Sequence, residues 1–319
     1  MPESSGPGAK PGRLGVGVIG AGKVGAVLGA ALRGAGHGVV GVSAVSEASR
    51  DRAENLLPGV PILEIPQIIE RAELVLLAVP DDALGPLVEG LAATGAWQAG
   101  QLVAHTSGRF GTAVLAAAKR AGAIPLAIHP AMTFTGMSLD LTRLQDCSFG
   151  VTAERMMLPI AQALVVEMGA EPVVIEEQDR ALYHAALAHA SNHLVTLAAQ
   201  SAQLLQGIGV AEPDRVLGPL LRASLENALA SGESALTGPV ARGDAGTVAA
   251  HLDALRDQQP DIPAAYLAMA RATAERAEAR GMLKPEQARS VGAALDAAAD
   301  MLGRPSARGG SGTRKDTAE

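Results

Sequence analysis

Aromatic side chains are scarce in this sequence: one tryptophan, two tyrosines and three phenylalanines make up 2% of 319 residues. A chain of this length can form two domains and a large core, so that core must come from Ala, Leu and Val. The single cysteine, Cys147, excludes an internal disulfide and reads as a small buried hydrophobe. No CxxC or Cys/His cluster offers a zinc site, and no metal is expected. Basic residues are no commoner than acidic ones: 26 Lys and Arg stand against 33 Asp and Glu, a net charge of -7. A nucleic-acid partner would call for the opposite balance. No apolar run reaches the roughly 18 residues that span a bilayer. Residues 1–12, rich in Pro, Gly and Ser, form an expected flexible segment without the apolar region of a signal peptide. A cytoplasmic location with no membrane partner is therefore expected. The tail at 304–319, with Gly309-Gly310-Ser311-Gly312, reads as disordered.

Glycine is plentiful, and its placement is informative. An apolar run (Val16, Val18, Ile19) leads into Gly20-Ala21-Gly22-Lys23-Val24-Gly25, and an alanine-rich helical segment follows. Gly20 permits a tight turn, Gly22 lets a pyrophosphate approach the backbone, and Gly25 lets helix and strand pack closely. Unpaired N–H groups at the helix start then face the phosphates. A bare G-x-G-x-x-G is weak, but the strand before it and the helix after it supply the context of a dinucleotide site. A second strand runs over 38–45. Ser43 stands where NAD sites carry an acid for the ribose, and Glu47 comes late. Ser46, Ser49 and Arg50, with Arg52 nearby, suit a 2′-phosphate, which favours NADP(H) over NAD(H). The two arginines could equally be solvated residues of the next helix.

Continuous apolar runs end at Val79-Pro80-Asp81, His105-Thr106-Ser107-Gly108 and His129-Pro130, with helical stretches at 82–93 and 110–121 between them. Runs of this kind suit parallel strands buried on both faces, and the alternation implies an α/β, doubly wound parallel sheet. Ligands of such sheets sit outside the carboxyl ends of the strands, so these three clusters line one crevice. Val79 and Pro80 are placed against the cofactor there, and Ser107 and His129 against the substrate. Further strand–helix–strand material follows at 148–151, 154–168 and 171–175. After Glu176 the texture turns helical, at 178–206 and about 213–231, 244–257, 261–280 and 285–302. The expected division is a dinucleotide-binding domain at 13–176 and an all-α substrate and dimerisation domain at 177–303.

Two stretches of the second half could carry chemistry. Tyr183-His184 is followed by His189, Ser191, Asn192 and His193 among alanines. Seven or eight residues separate His184 from Ser191 and Asn192, close to two helical turns, so the three can share a face. Each histidine alone is as compatible with a hydrogen-bonded structural role as with chemistry. As a cluster beside a nucleotide fold they suggest a general acid, for which His184 is the candidate, with Ser191 and Asn192 holding substrate oxygens. The segment 235–244 offers the Thr237 hydroxyl, a Gly238-Pro239 turn, Arg242 as a bidentate carboxylate clamp and Asp244 as a natural N-cap. An ordinary capped turn with a surface arginine fits it equally well.

Together these motifs resemble a bacterial Rossmann-like oxidoreductase family with a C-terminal helical domain of unknown function, over roughly residues 13–303. That family is similar to the ketopantoate reductases, pyrroline-5-carboxylate reductases, prephenate dehydrogenases and 6-phosphogluconate dehydrogenases. The resemblance implies a nicotinamide cofactor, a substrate cleft between the domains and a homodimer. One departure stands out: ketopantoate reductases place a lysine four residues before a substrate-domain asparagine, where this chain has Ala188. An NADPH-dependent reductase of a small carboxylate-bearing carbonyl or imine, ketopantoate foremost, is the expectation, with His184 replacing the lysine. A prephenate-dehydrogenase-like enzyme and a non-catalytic NADP-binding sensor or scaffold are the alternatives.

Overall fold

A computed structural model describes residues 13–302; the segments expected to be flexible or disordered at either end lie outside the described residues. Seven apolar runs form strands: β1 (Gly15–Ile19), β2 (Gly38–Ser43), β3 (Leu74–Leu77), β4 (Leu102–His105), β5 (Ile124–Pro130), β6 (Ser148–Ala153) and β7 (Glu171–Val174). Among them lie α1 (Lys23–Gly34), α2 (Glu47–Leu56), α3 (Ile65–Arg71), α4 (Asp81–Ala93), α5 (Ala116–Arg120), α6 (Leu139–Arg143) and α7 (Leu158–Glu167). The strands make one sheet in the order β2-β1-β3-β4-β5-β6-β7.

Strand β3 shows why the sheet forms. Leu74 and Leu76 enter the core on one face and Val75 and Leu77 the core on the other, all of them buried. A strand covered on both sides must be apolar throughout, which is the pattern read from the sequence. The register then aligns the strand ends. Ile19 pairs with Ser43 on one side and Leu77 on the other, Leu77 with His105, and His105 with Ala127. The glycine loop and the turns after β3, β4 and β5 therefore emerge at one edge, beside the point between β1 and β3 where the winding reverses.

The all-parallel expectation needs one correction. Strand β6 runs antiparallel to β5, with His129 opposite Gly150, while β7 is parallel to β6. The link from β5 to β6 holds only the five-residue α6 and a short turn. It lacks the long crossover helix that returns a chain to the same end of a sheet.

Beyond β7 the described chain is helical: α8 (Arg180–Gly207), α9 (Pro213–Ser231), α10 (Pro239–Arg242), α11 (Ala245–Leu255), α12 (Asp261–Ala279) and α13 (Pro285–Leu302). The chain divides into two compact units between His193 and Leu194, inside α8. In the second unit Val248, Leu252, Ala270, Val291 and Leu295 form a core of α11, α12 and α13. After Arg180, α8 contains no Asp, Glu, Lys or Arg, yet Leu182, Leu194, Val195 and Leu197 are exposed. Among the described residues no helix is long and apolar enough to cross a membrane.

Candidate active site

Each glycine of the fingerprint has a distinct reason to be glycine. Gly20 has φ +99°, and a Cβ there would stand 2.6 Å from the Ala78 carbonyl oxygen. A Cβ at Gly25 would stand 2.0 Å from the Gly20 carbonyl oxygen, so strand and helix touch at that point. Above Gly22, by contrast, a Cβ would meet nothing within 4 Å. Open space beside the start of a twelve-residue helix without a side-chain cap fits a dinucleotide pyrophosphate.

Ser43, at the position where an acid would hold a ribose, braces this loop instead. Its Oγ accepts the Gly20 N–H at 2.9 Å, and its carbonyl accepts the Ala21 N–H at 2.8 Å. The expected 2′-phosphate ligands are only partly available. Ser46 caps α2 by accepting the Ser49 N–H at 3.2 Å, and buried Ser49 gives its hydroxyl proton to the Ser46 carbonyl at 2.7 Å. Ser49 is thus committed to the first turn of the helix, while Arg50 is exposed. Arg52 packs against the loop at Gly136, beside Lys23. Its Nε and the Cγ of Lys23 lie 2.9 and 3.1 Å from where a Cβ on Gly136 would sit. That loop is held by buried Asp140, which accepts the N–H groups of Thr135 and Gly136 and the Thr135 hydroxyl. Burial pushes the Asp140 carboxyl upward, but these donors outweigh it and keep it below the usual range.

At the sheet edge lies a crevice of about 480 Å³. Gly22, Lys23, Val24, Val79, Pro80, Ser107, His129 and His184 of the expected residues line it, together with Asp81, Thr106 and Gly108. His105 stands behind it. Fully buried, it gives Nε2–H to the Gly111 carbonyl at 2.8 Å and accepts the Ser107 N–H at Nδ1, 3.2 Å away. Burial lowers its pKa to about 4, so it staples the loop as a neutral ring. Glu177 fixes the far end of the same loop by accepting the N–H groups of Thr112 and Ala113.

Two imidazoles face each other across Gly108. The rings of His129 and His184 are 5.9 Å apart and nearly perpendicular. A Cβ on Gly108 would stand 2.7 Å from His184 Cδ2 and 2.8 Å from His129 Nε2, so only glycine lets both rings approach. His129 Nδ1 meets the Tyr183 hydroxyl at 2.9 Å. Beneath them Arg180, 1% exposed, donates from Nε to Thr152 Oγ1 and from Nη2 to the carbonyls of Ala127 and Gly150. Burial lowers its pKa to about 10, and it stays charged. Burial, then His184 and Arg180, lowers the His129 pKa to about 4.

Ser191 and Asn192 do not line this crevice, because seven or eight residues carry them roughly 10–12 Å farther along α8. His189 and His193 pair with each other on exposed helix surface, Nδ1 to Nδ1 at 2.8 Å. Thr237 and Arg242 are exposed in the second unit, where Asp244 caps α11 by accepting the Thr247 N–H at 3.2 Å. The sequence reading missed Arg180, Glu177 and the role of Tyr183. Charged residues at a helix foot read as solvated, and only the Tyr183-His184 pairing offered a signal.

Comparison with known proteins agrees with this architecture. Residues 1–130 match the Rossmann-like domain, and residues 147–273 match a domain of unknown function, DUF2520. The chain is a Rossmann-like domain joined to a DUF2520 domain. No curated protein matches it. A Bacteroides fragilis protein provisionally described as an NADP oxidoreductase shares the fold with a TM-score of 0.70 at 21% identity, over 82% of this chain and 98% of that one. The Thermotoga maritima protein TM1727 gives a TM-score of 0.62 at 24% identity, over 83% and 99%. An imine reductase from a Pseudomonas species gives 0.59 at 18% identity, over 89% and 99%. The DUF2520 match begins at β6 and ends within α12, so the last two strands of the sheet belong to it along with α7 to α11.

Proposed function

We propose that this DUF2520 protein is an NADPH-dependent reductase of a small carboxylate-bearing carbonyl or imine. The observation that carries the reading is one crevice combining the open glycine fingerprint with two imidazoles 5.9 Å apart. The names of the Bacteroides and Pseudomonas relatives support the reaction class. A bound nicotinamide supplies the hydride. The chain's own residues supply the rest. Gly20 to Gly25 hold the pyrophosphate, with Val79 and Pro80 beside it, and Lys23, Arg50, Arg52 and the Ser46 hydroxyl face the 2′-phosphate. His184 delivers a proton to the carbonyl oxygen or imine nitrogen, and Ser107 and His129 orient the substrate. Substrate-holding roles for Ser191, Asn192, Thr237 and Arg242 stay part of this proposal, Arg242 as carboxylate clamp. So does a homodimer, supported by the exposed apolar residues of α8 and α9.

The test is NADPH oxidation against a panel of 2-keto acids, ketopantoate included, and cyclic imino acids. Turnover with at least one member is expected, and His184→Ala should lower kcat about 100-fold while NADPH still binds. Bound NADPH with no turnover across the panel would contradict the reductase and favour a sensor.

A further inference from the structure

His129 and His184 share a crevice but not an environment. His184 projects from α8 and is half-buried. His129, next to last in β5, has Tyr183 on one nitrogen and the crevice wall at Gly108 on the other. The Tyr183 oxygen packs over the Gly150 backbone. A Cβ on Gly150 would stand 2.6 Å from that oxygen, so the phenol is seated where only glycine leaves room. Burial raises the Tyr183 pKa, so the phenol keeps its single proton. At 2.9 Å, His129 Nδ1 is the acceptor within reach of that proton, and the phenol donates to it. A neutral ring that accepts at Nδ1 carries its own proton on Nε2.

We propose that His129 is a tautomer-locked hydrogen-bond donor to the substrate, presenting Nε2–H at Gly108, and that Tyr183 is the residue that positions it. The substrate half of this rests on reading the crevice as a reductase site; the tautomer half does not. The charged and titratable neighbours acting on His129 weigh toward a neutral ring. His184, Arg180 and His105 oppose its protonation, and Asp81 alone favours it. Tyr183 works in the same direction, because a hydrogen bond donated to the neutral ring disfavours the cation. Two imidazoles then divide the work: His129 holds the reacting oxygen or nitrogen, and His184 exchanges the proton.

Long-range ¹H–¹⁵N correlation spectra of the histidine-labelled full chain test this, with the His129 ring identified by its absence in His129→Gln. In the wild type, His129 should show a protonated Nε2 and a pyridine-like Nδ1 from about pH 8 down to about pH 5. In Tyr183→Phe the ring should average between tautomers and take up its proton at higher pH. A protonated Nδ1 in the wild type overturns the proposal, even if Tyr183→Phe fails to fold. So do identical His129 spectra and titrations in the two proteins. With a substrate from the panel, Tyr183→Phe should lower kcat at least tenfold at unchanged KM, and an unchanged kcat refutes the substrate half. A panel without turnover refutes the reductase reading and leaves the tautomer measurement standing.

Discussion

Within the sheet of the first unit, Val16, Val18, Leu28, Leu74, Val75 and Phe149 are completely covered. Along α8 and α9 the pattern reverses: Leu182 is 74% exposed, Leu220 60% and Leu229 79%. The second unit is not without a core, since Val248 and Val291 are fully buried among α11, α12 and α13. The difference lies in what each set of apolar residues is packed against. A doubly wound sheet covers both of its own faces. Long helices that leave large leucines exposed need something more to cover them. The first unit thus reads as complete in itself, and α8 and α9 read as waiting for another surface, which the proposed homodimer supplies.

The largest expected effect tests the close packing of the first unit. Gly25→Val should abolish NADPH binding and destabilise the fold by about 3 kcal/mol or more, because its Cβ would stand 2.0 Å from a carbonyl oxygen. Gly22→Ala sharpens the point: the melting temperature should hold, yet NADPH affinity should fall at least tenfold, since the added methyl meets the ligand alone. A Gly25→Val protein that binds NADPH normally would refute the packing argument.

Next comes the exposed helix surface. Light scattering should give the wild-type chain twice its monomer mass, and the pair Leu220→Glu and Leu229→Glu should halve it with NADPH affinity unchanged. A monomeric wild type at micromolar concentration would remove the homodimer and leave the exposed leucines unexplained.

A smaller effect is expected from pH. The folded-state pKa of His105 is depressed, from 6.5 to about 4. Its contribution is therefore fully present above pH 6.5 and is lost as pH falls toward 4. Between pH 7 and pH 5 this one group should cost about 2 kcal/mol, and His129 adds to the loss. Urea unfolding followed by Trp97, the only tryptophan and buried in the first unit, should report it. His105→Gln should flatten the dependence, and an equally steep one would assign the effect elsewhere.

How much was legible in the sequence follows from the same physics. Strands buried on both faces announce themselves as apolar runs, and helices without breakers announce their extent, so the sheet and the long helices could be read. The Asp244 cap was local enough to see. Strand direction was not, because periodicity is the same for β6 running either way. Helical spacing put His184, Ser191 and Asn192 on one face but said nothing about depth, and only His184 reaches the crevice. The Tyr183–His129 hydrogen bond joins residues 54 apart, and Arg180 is a charge buried against expectation. No pattern within a short window carries either.

Titration of the purified full-length chain with NADPH and NADH, followed by cofactor fluorescence, addresses the central claim most directly. Saturable binding of one NADPH per chain, at least tenfold tighter than NADH, is the predicted result. No binding of either dinucleotide would contradict the reading of the crevice, and equal affinities would contradict the assignment of Lys23, Arg50 and Arg52 to a 2′-phosphate.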